Sequence, residues 1–289
     1  MSWTNFHTHC HFCHGIGKPE DYINEAINQG VETLGFSCHA SLPFYTDWTM
    51  TEETQKLYPS TIRQLQENYL RQINVKLGLE IDYIPDVMGL DMQQYKESMK
   101  LDYTIGSVHY MGCASSGEYL PADASKENFA NGIKDVYSGD IRKAVEAYYL
   151  MLQDMAKRGG FDILGHFDLI KKNNRGEQFF SEDQKWYRDI VESTLLLISK
   201  QDLVVEVNTG GMSRNYIDTT YPSLWILEKC YNLNIPITLN SDAHSPSDVT
   251  AWFQGTAESL IKIGFTELHV LEDNGWQTRP FTPEGLLPK

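Results

Sequence analysis

Two observations predict an α/β fold closed into a largely parallel barrel. Short apolar, β-rich runs alternate with helical patterns over the whole chain, which is how repeated strand–helix units read in sequence. Seven of the nine histidines lie in five short segments, each at the exit of one of those runs. An open doubly wound sheet gathers ligands mainly at one crevice, whereas a barrel collects side chains from the C-terminal ends of many strands. Histidines contributed from all around the domain therefore favour closure.

In chain order, strands are expected over 3–7, 33–37, 74–79, 103–108, 163–166, 203–207 and 235–240. Helices are expected between them over 19–29, 51–70, 141–158, 181–200 and 222–232. Thr51-Glu52-Glu53-Thr54 and Ser181-Glu182-Asp183-Gln184 each place a capping hydroxyl before acids that face the positive end of a helix dipole, so helices are predicted to start there. The loosest stretch, 112–139, reads as a long loop over the site, and Leu268–Leu271 as a late β-like run containing His269. The count approaches the eight strand–helix units of a full (β/α) barrel. No linker or low-complexity segment interrupts the chain, so one domain is expected over 1–289.

With 41% hydrophobic and 22% charged residues, the chain can build a core. Its 24 basic and 39 acidic residues give a net charge of -15, unsuited to gripping a nucleic-acid backbone. An anionic substrate would need local cations. The N-terminal sequence lacks the regions of a signal peptide, and no run approaches the ~20 apolar residues of a membrane span. Neither nucleic acid nor membrane is therefore an expected partner. Five cysteines form no even, spaced framework. Cys10-His11-Phe12-Cys13 is half of a structural zinc signature without its second half. Cys10, Cys13, Cys38 and Cys113 read instead as reduced thiols packed near the site, as expected in a cytoplasmic protein.

The histidine segments carry the chemistry. His7 and His9 alternate on one strand, so both rings face the same way. His14 follows on the loop, where it can curl back over the strand end. Asp242 and His244 repeat the spacing after the last strand. Glu80 ends the apolar run 75–79, with Asp82 two residues beyond. His39, His109 and His166 each stand alone at a strand exit, where a single histidine is more often structural. Their convergence on one rim with the paired motifs makes a shared metal centre the better reading. His11 and His269 have no such context. Seven imidazoles and two carboxylates exceed what one metal takes and suit two or three ions of Zn, Mn or Fe.

The ordered set HTH…H, CHA, GLEID, GSVHY, GHFD, EVN and SDAH, running from His7 to His244, resembles the polymerase-and-histidinol-phosphatase (PHP) family. The resemblance implies a distorted (β/α)7 TIM-like barrel with a trinuclear metal site at the C-terminal ends of the strands. It implies His7, His9, Glu80 and Asp242 on one metal and His14, His39 and His244 on a second. Glu80, His109 and His166 would hold the third, with Glu80 bridging. Length and the Cys38-His39-Ala40-Ser41-Leu42-Pro43 segment are closest to the stand-alone histidinol-phosphate phosphatase branch. The implied activity is hydrolysis of L-histidinol phosphate to L-histidinol and phosphate, a step of histidine biosynthesis.

In that reaction a metal-bridging hydroxide would attack phosphorus while cations neutralise the phosphoryl oxygens. Asp242, His244 and Glu80 are the candidate catalytic residues. Arg175 and Arg214, on loops expected to face the metals, are candidate phosphate forks. Glu118, on the long loop, is a candidate for the substrate's ammonium or imidazolium. Neither a Ser/His/Asp order nor a G-x-x-x-x-G-K-[ST] loop is present. The alternatives are a phosphoesterase or 3′–5′ nuclease of other specificity, or a metal-binding protein without turnover.

Overall fold

The computed structural model describes residues 2–89 and 91–288. Numbered along the chain, its strands begin with β1 (Trp3–Asn5), β2 (Val31–Phe36), β3 (Asn74–Asp82), β4 (Tyr103–Ser107), β5 (Tyr110–Cys113) and β6 (Tyr119–Pro121). They continue with β7 (Ile163–Leu164), β8 (Val204–Asn208), β9 (Ile237–Asn240), β10 (Glu267–Glu272), β11 (Gly275–Thr282) and β12 (Gly285–Leu286). The α-helices are α1 (Pro19–Asn28), α2 (Glu52–Tyr69), α3 (Met92–Met99), α4 (Lys126–Tyr137), α5 (Ile141–Arg158), α6 (Lys185–Ile198), α7 (Gly210–Ser213), α8 (Leu224–Asn232) and α9 (Phe253–Ile263).

Seven parallel strands form one sheet in the order β1-β2-β3-β4-β7-β8-β9. All seven expected strands are present, and the sheet curls into a nearly closed (β/α)7 barrel. Its two edges meet only just past the ends of β1 and β9. There Thr8 bridges Ala243 in parallel, His9 N–H donates to Ala243 O at 2.8 Å, and Ala243 N–H donates to His7 O at 3.2 Å. Asn5 Nδ2 reaches Ser241 Oγ at 2.8 Å across the same seam. The metal-candidate segments themselves join the barrel.

The interior is filled by large side chains opposite small ones. The Tyr103 side chain on β4 crosses Gly35 on β2 and Gly78 on β3, where an added Cβ would lie 2.3 Å from its hydroxyl oxygen and 2.2 Å from a ring carbon. The Tyr103 hydroxyl donates to Phe6 O within the barrel.

Helix ends follow local chemistry. Thr51 caps α2 by accepting from Thr54 N–H, and Asp140 caps α5 by accepting from Lys143 N–H. One expected start moves. Ser181 is tied into a turn by Glu177 Oε1 at 2.8 Å and by Asp183 N–H at 3.2 Å, so α6 begins a turn later at Lys185. The stretch 112–139 is not a plain loop: it holds most of the β5–β6 hairpin and α4, which Ser125 caps. Strand β3 also runs past Glu80 to Asp82, because Glu80 and Asp82 pair with Ile105 and Ser107 on β4.

After the barrel, β10, β11 and β12 form an antiparallel sheet. It covers the end of the barrel opposite the histidines. The Trp276 ring packs 5.5 Å from that of Phe6, Leu286 bridges Ser2, and buried Arg279 joins Glu32 at 2.9 Å. Among the described residues no helix is long and apolar enough to cross a membrane.

Candidate metal centre

Each candidate ligand stands on or just beyond the C-terminal end of a barrel strand, and Glu80 sits at their middle. Its Oε2 lies 3.1 Å from His7 Nε2, 3.3 Å from His9 Nε2 and 2.9 Å from His39 Nδ1. Its Oε1 lies 2.9 Å from His166 Nε2 and 3.7 Å from His109 Nε2. Asp242 Oδ1 approaches His9 Nε2 at 3.2 Å, His7 Nε2 at 3.6 Å and His244 Nδ1 at 3.5 Å. His14 leans in from its loop with its ring 4.3 Å from His244 and 5.2 Å from His39, held by a 2.9 Å contact from Nδ1 to Trp48 O.

Burial makes these groups electrostatically interdependent. Desolvation would raise the Glu80 carboxyl, but the imidazoles of His39 and His7 reverse that and hold it well below the usual carboxylate range. His7 shows the converse: burial works against its charge, yet Glu206, Glu80 and Asp242 lift it to about 10. Burial dominates at His39 and pushes it down to about 4 despite Glu80.

The donor set fits divalent metals. His9 Nε2 and His39 Nδ1 are buried and make no hydrogen bond, although carboxylate oxygens stand 2.9 Å from one and 3.2 Å from the other in the order His39, His9. Atoms so close yet not aligned on each other are arranged around a third partner. Four overlapping triads bring their ligand atoms within 4.8 Å: His7–His9–Asp242, His9–His39–His244, Glu80–His109–His166 and His39–Asp82–His109. More than one ion is accommodated. These triads place His9 beside His39 and His244 and Asp82 beside His39 and His109, while His14 faces the same group from its loop through its ring contacts.

Outer contacts orient the rings. Glu206 Oε1 lies 2.6 Å from His7 Nδ1, and Glu206 Oε2 accepts from His166 N–H at 2.9 Å. Asp82 Oδ1 lies 2.7 Å from His109 Nδ1. Such carboxylate–histidine pairs fix ring orientation in metal sites. Glu206 was visible only as part of the EVN run; its spacing on an inward-facing strand was the signal. Asp242 adopts a left-handed backbone, φ 50°, which aspartate tolerates better than most residues. Arg214 steadies it, donating to Asp242 O at 2.7 Å and Oδ2 at 2.9 Å. Gly210 allows that approach, because a Cβ there would meet Arg214 Nη2 at 2.8 Å.

A cavity of about 600 Å³ opens over the cluster, with Arg214 in its wall. Two sequence candidates do not reach it. Arg175 is half exposed and forked onto Asp218, with Nε–Oδ2 at 2.8 Å. Glu118 lies exposed in the β5–β6 turn, where its carbonyl accepts from Ala114 N–H. In their stead the wall presents Trp48, Asp123 and Lys172, none of them singled out by sequence. His11 and His269 stay outside the cluster. Of the thiols, Cys13 Sγ lies 3.5 Å from His9 Nδ1 and Cys10 Sγ 3.5 Å from Cys38 Sγ, but Cys113 is exposed on β5, away from the site.

A barrel whose strand exits converge on a cluster of histidines and carboxylates defines a metallohydrolase-type site. The PHP domain matches residues 5–210, and the chain belongs to the PHP-domain family. It is 30% identical over 259 residues to the histidinol-phosphatase of Bacillus subtilis, covering 84% of this chain and 94% of that one. Among solved structures, hisK of Listeria monocytogenes superposes with a TM-score of 0.77 at 22% identity, over 87% of this chain and 99% of that one. The histidinol phosphate phosphatase of Lactococcus lactis, complexed with Zn, L-histidinol and phosphate, gives 0.64 at 19% identity over 99% of both chains.

Proposed function

We propose that the chain is a metal-dependent histidinol-phosphate phosphatase. Kinship with the B. subtilis histidinol-phosphatase supports the reaction. The observation that carries the reading is Glu80, fully buried with both oxygens shared among the imidazoles of His7, His9, His39 and His166. A carboxylate so placed suits a bridging ligand. His7, His9, Glu80 and Asp242 would hold one ion, His14, His39 and His244 a second, and Glu80, His109 and His166 a third, with Glu80 shared between two of them. Bound there, zinc or manganese supplies an activated water at neutral pH and positive charge for the phosphoryl oxygens.

The protein's own groups set the geometry. Glu206 and Asp82 hold His7 and His109 in orientation, and Arg214 holds Asp242 in its turned conformation. The nine ligands and these supports act within one domain spanning the chain. Five free cysteines suit a reducing cytoplasm.

Steady-state phosphate release tests the reading. Metal-loaded protein should hydrolyse L-histidinol phosphate with a kcat/KM at least tenfold above that for p-nitrophenyl phosphate. EDTA should abolish turnover, and added zinc or manganese restore it. Equal rates on both esters, or turnover insensitive to chelation, would overturn it.

A further inference from the structure

Besides the ligand cluster, the cavity is lined by Asp47, Trp48, Asp123, Asn128, Lys172 and Tyr216 among others. Of the charged groups facing the cavity, Glu80 and Asp242 belong to the ligand cluster, and Arg214 is engaged with Asp242. Asp47, Asp123 and Lys172 remain. Asp47 is exposed on its loop. Asp123 is fixed: Lys172 Nζ donates to its carbonyl at 2.7 Å and to its Oδ2 at 3.2 Å. Beside it, Asn173 Nδ2 donates to Ala124 O at 2.7 Å. These bonds pin the segment after β6 to the segment after β7 across the cavity mouth.

Asp123 is also close to the reacting end. Burial would raise its carboxyl, but the Lys172 ammonium beside it holds it below the usual carboxylate range. His109 and His166 are the rings that meet Glu80 Oε1. Asp123 lines the same cavity as His109 and His166, and its neighbour Ala122 donates from N–H to His109 O at 2.7 Å, so the segment that carries it is tied to the cluster.

We propose that Asp123 receives the protonated primary amine of the substrate's alcohol half, and so selects amino-alcohol phosphates among phosphomonoesters. This rests on the function proposed above. In L-histidinol phosphate four covalent bonds of about 1.5 Å separate phosphorus from the amine nitrogen, so the ammonium sits within roughly 5 Å of the phosphoryl group. A group so placed must lie just beyond the histidine ring when the phosphoryl group lies against it. Lys172 donates to Oδ2 and not to Oδ1, so the brace occupies one carboxylate oxygen and leaves the other to pair with the ammonium. Lys172 has a second support, its Nζ standing 4.6 Å over the Tyr216 ring, so it acts as a brace holding Asp123 in place. This is the role sequence reading gave to Glu118, moved five positions along the same insertion.

The test compares L-histidinol phosphate with its deamino analogue, imidazolylpropyl phosphate, on metal-loaded wild type, Asp123→Asn and Asp123→Glu. Wild type should favour the amine-bearing ester. In Asp123→Asn the ratio of kcat/KM for the two esters should fall about thirtyfold, the size of one lost charge-assisted hydrogen bond. Asp123→Glu, which keeps the charge, should recover part of the ratio. Calorimetric titration with L-histidinol, which carries the amine and no phosphate, should show a comparable loss of affinity relative to inorganic phosphate. A wild-type preference that Asp123→Asn leaves within threefold, with L-histidinol affinity unmoved, overturns this inference alone. A wild type that prefers the deamino ester overturns the substrate reading and this inference with it.

Discussion

Asp242 concentrates several demands in one residue: a left-handed backbone, a fork from Arg214 and a carboxylate shared by three imidazoles. Asp242→Asn keeps the shape and removes the charge, and should lower turnover by at least about a hundredfold while the circular-dichroism spectrum stays native. His9→Ala should do the same; near-wild-type rates in either would remove them from the centre. Glu206→Gln acts one shell out. It should weaken metal affinity by about 10–100-fold, measured by zinc titration against a competing chelator. The thiols give a check free of catalysis. Cys230 is buried and its thiol is pushed up to about 12, while Cys113 is exposed. Iodoacetamide at pH 8 should label Cys113 in the native protein and Cys230 only after unfolding, as read by peptide mass spectrometry. Much of the site was legible at this scale from the His7-x-His9 and Asp242-x-His244 spacings at strand exits, although the structure turns the second pair inward through the left-handed backbone of Asp242 and not along an extended strand. Asp123 and Lys172 were not legible, because each acquires its place only through the other.

Elements were legible in proportion to how much apolar surface they bury. The barrel strands announced themselves, even β7 with its two paired residues, because Ile163 and Leu164 sit in a clear apolar run. By contrast α3 buries only Met92 of its eight residues, and α4 only Phe129 and Ile133, too little to write a helical stripe. Packing across strands was likewise hidden, since nothing in the sequence pairs Gly35 and Gly78 with the Tyr103 side chain that lies across them. Gly78→Ala would drive a methyl into that ring and should cost about 1–3 kcal/mol, measured by denaturant unfolding. No change in the unfolding midpoint would show that the ring has room to move.

At the scale of the molecule, the two ends of the barrel do different work. One carries the ligands; the other is sealed by the β10–β12 sheet, whose Arg279 joins Glu32, Glu272 and Leu287 O. Arg279→Ala leaves those acceptors partly buried without their cation and should destabilise by about 3 kcal/mol with little effect on metal binding. Ions that bind the folded state alone also stabilise it. EDTA should therefore lower the melting temperature and zinc restore it; a melting curve indifferent to both would argue against occupancy. The nearly closed barrel was readable from where the histidines fall, whereas the sealing sheet was visible only as one β-like run at its start.

The seam between β1 and β9 sets a timetable for synthesis. His7 and His9 are synthesised well before their partners Asp242 and His244, which follow after a separation like the 236 positions from Asn5 to Ser241, bonded across the same junction. Contacts this distant in sequence form late. A nascent chain that has not yet delivered Asp242 holds half a ligand set and an unjoined barrel together, so completion of the fold and readiness to bind metal arrive in the same event.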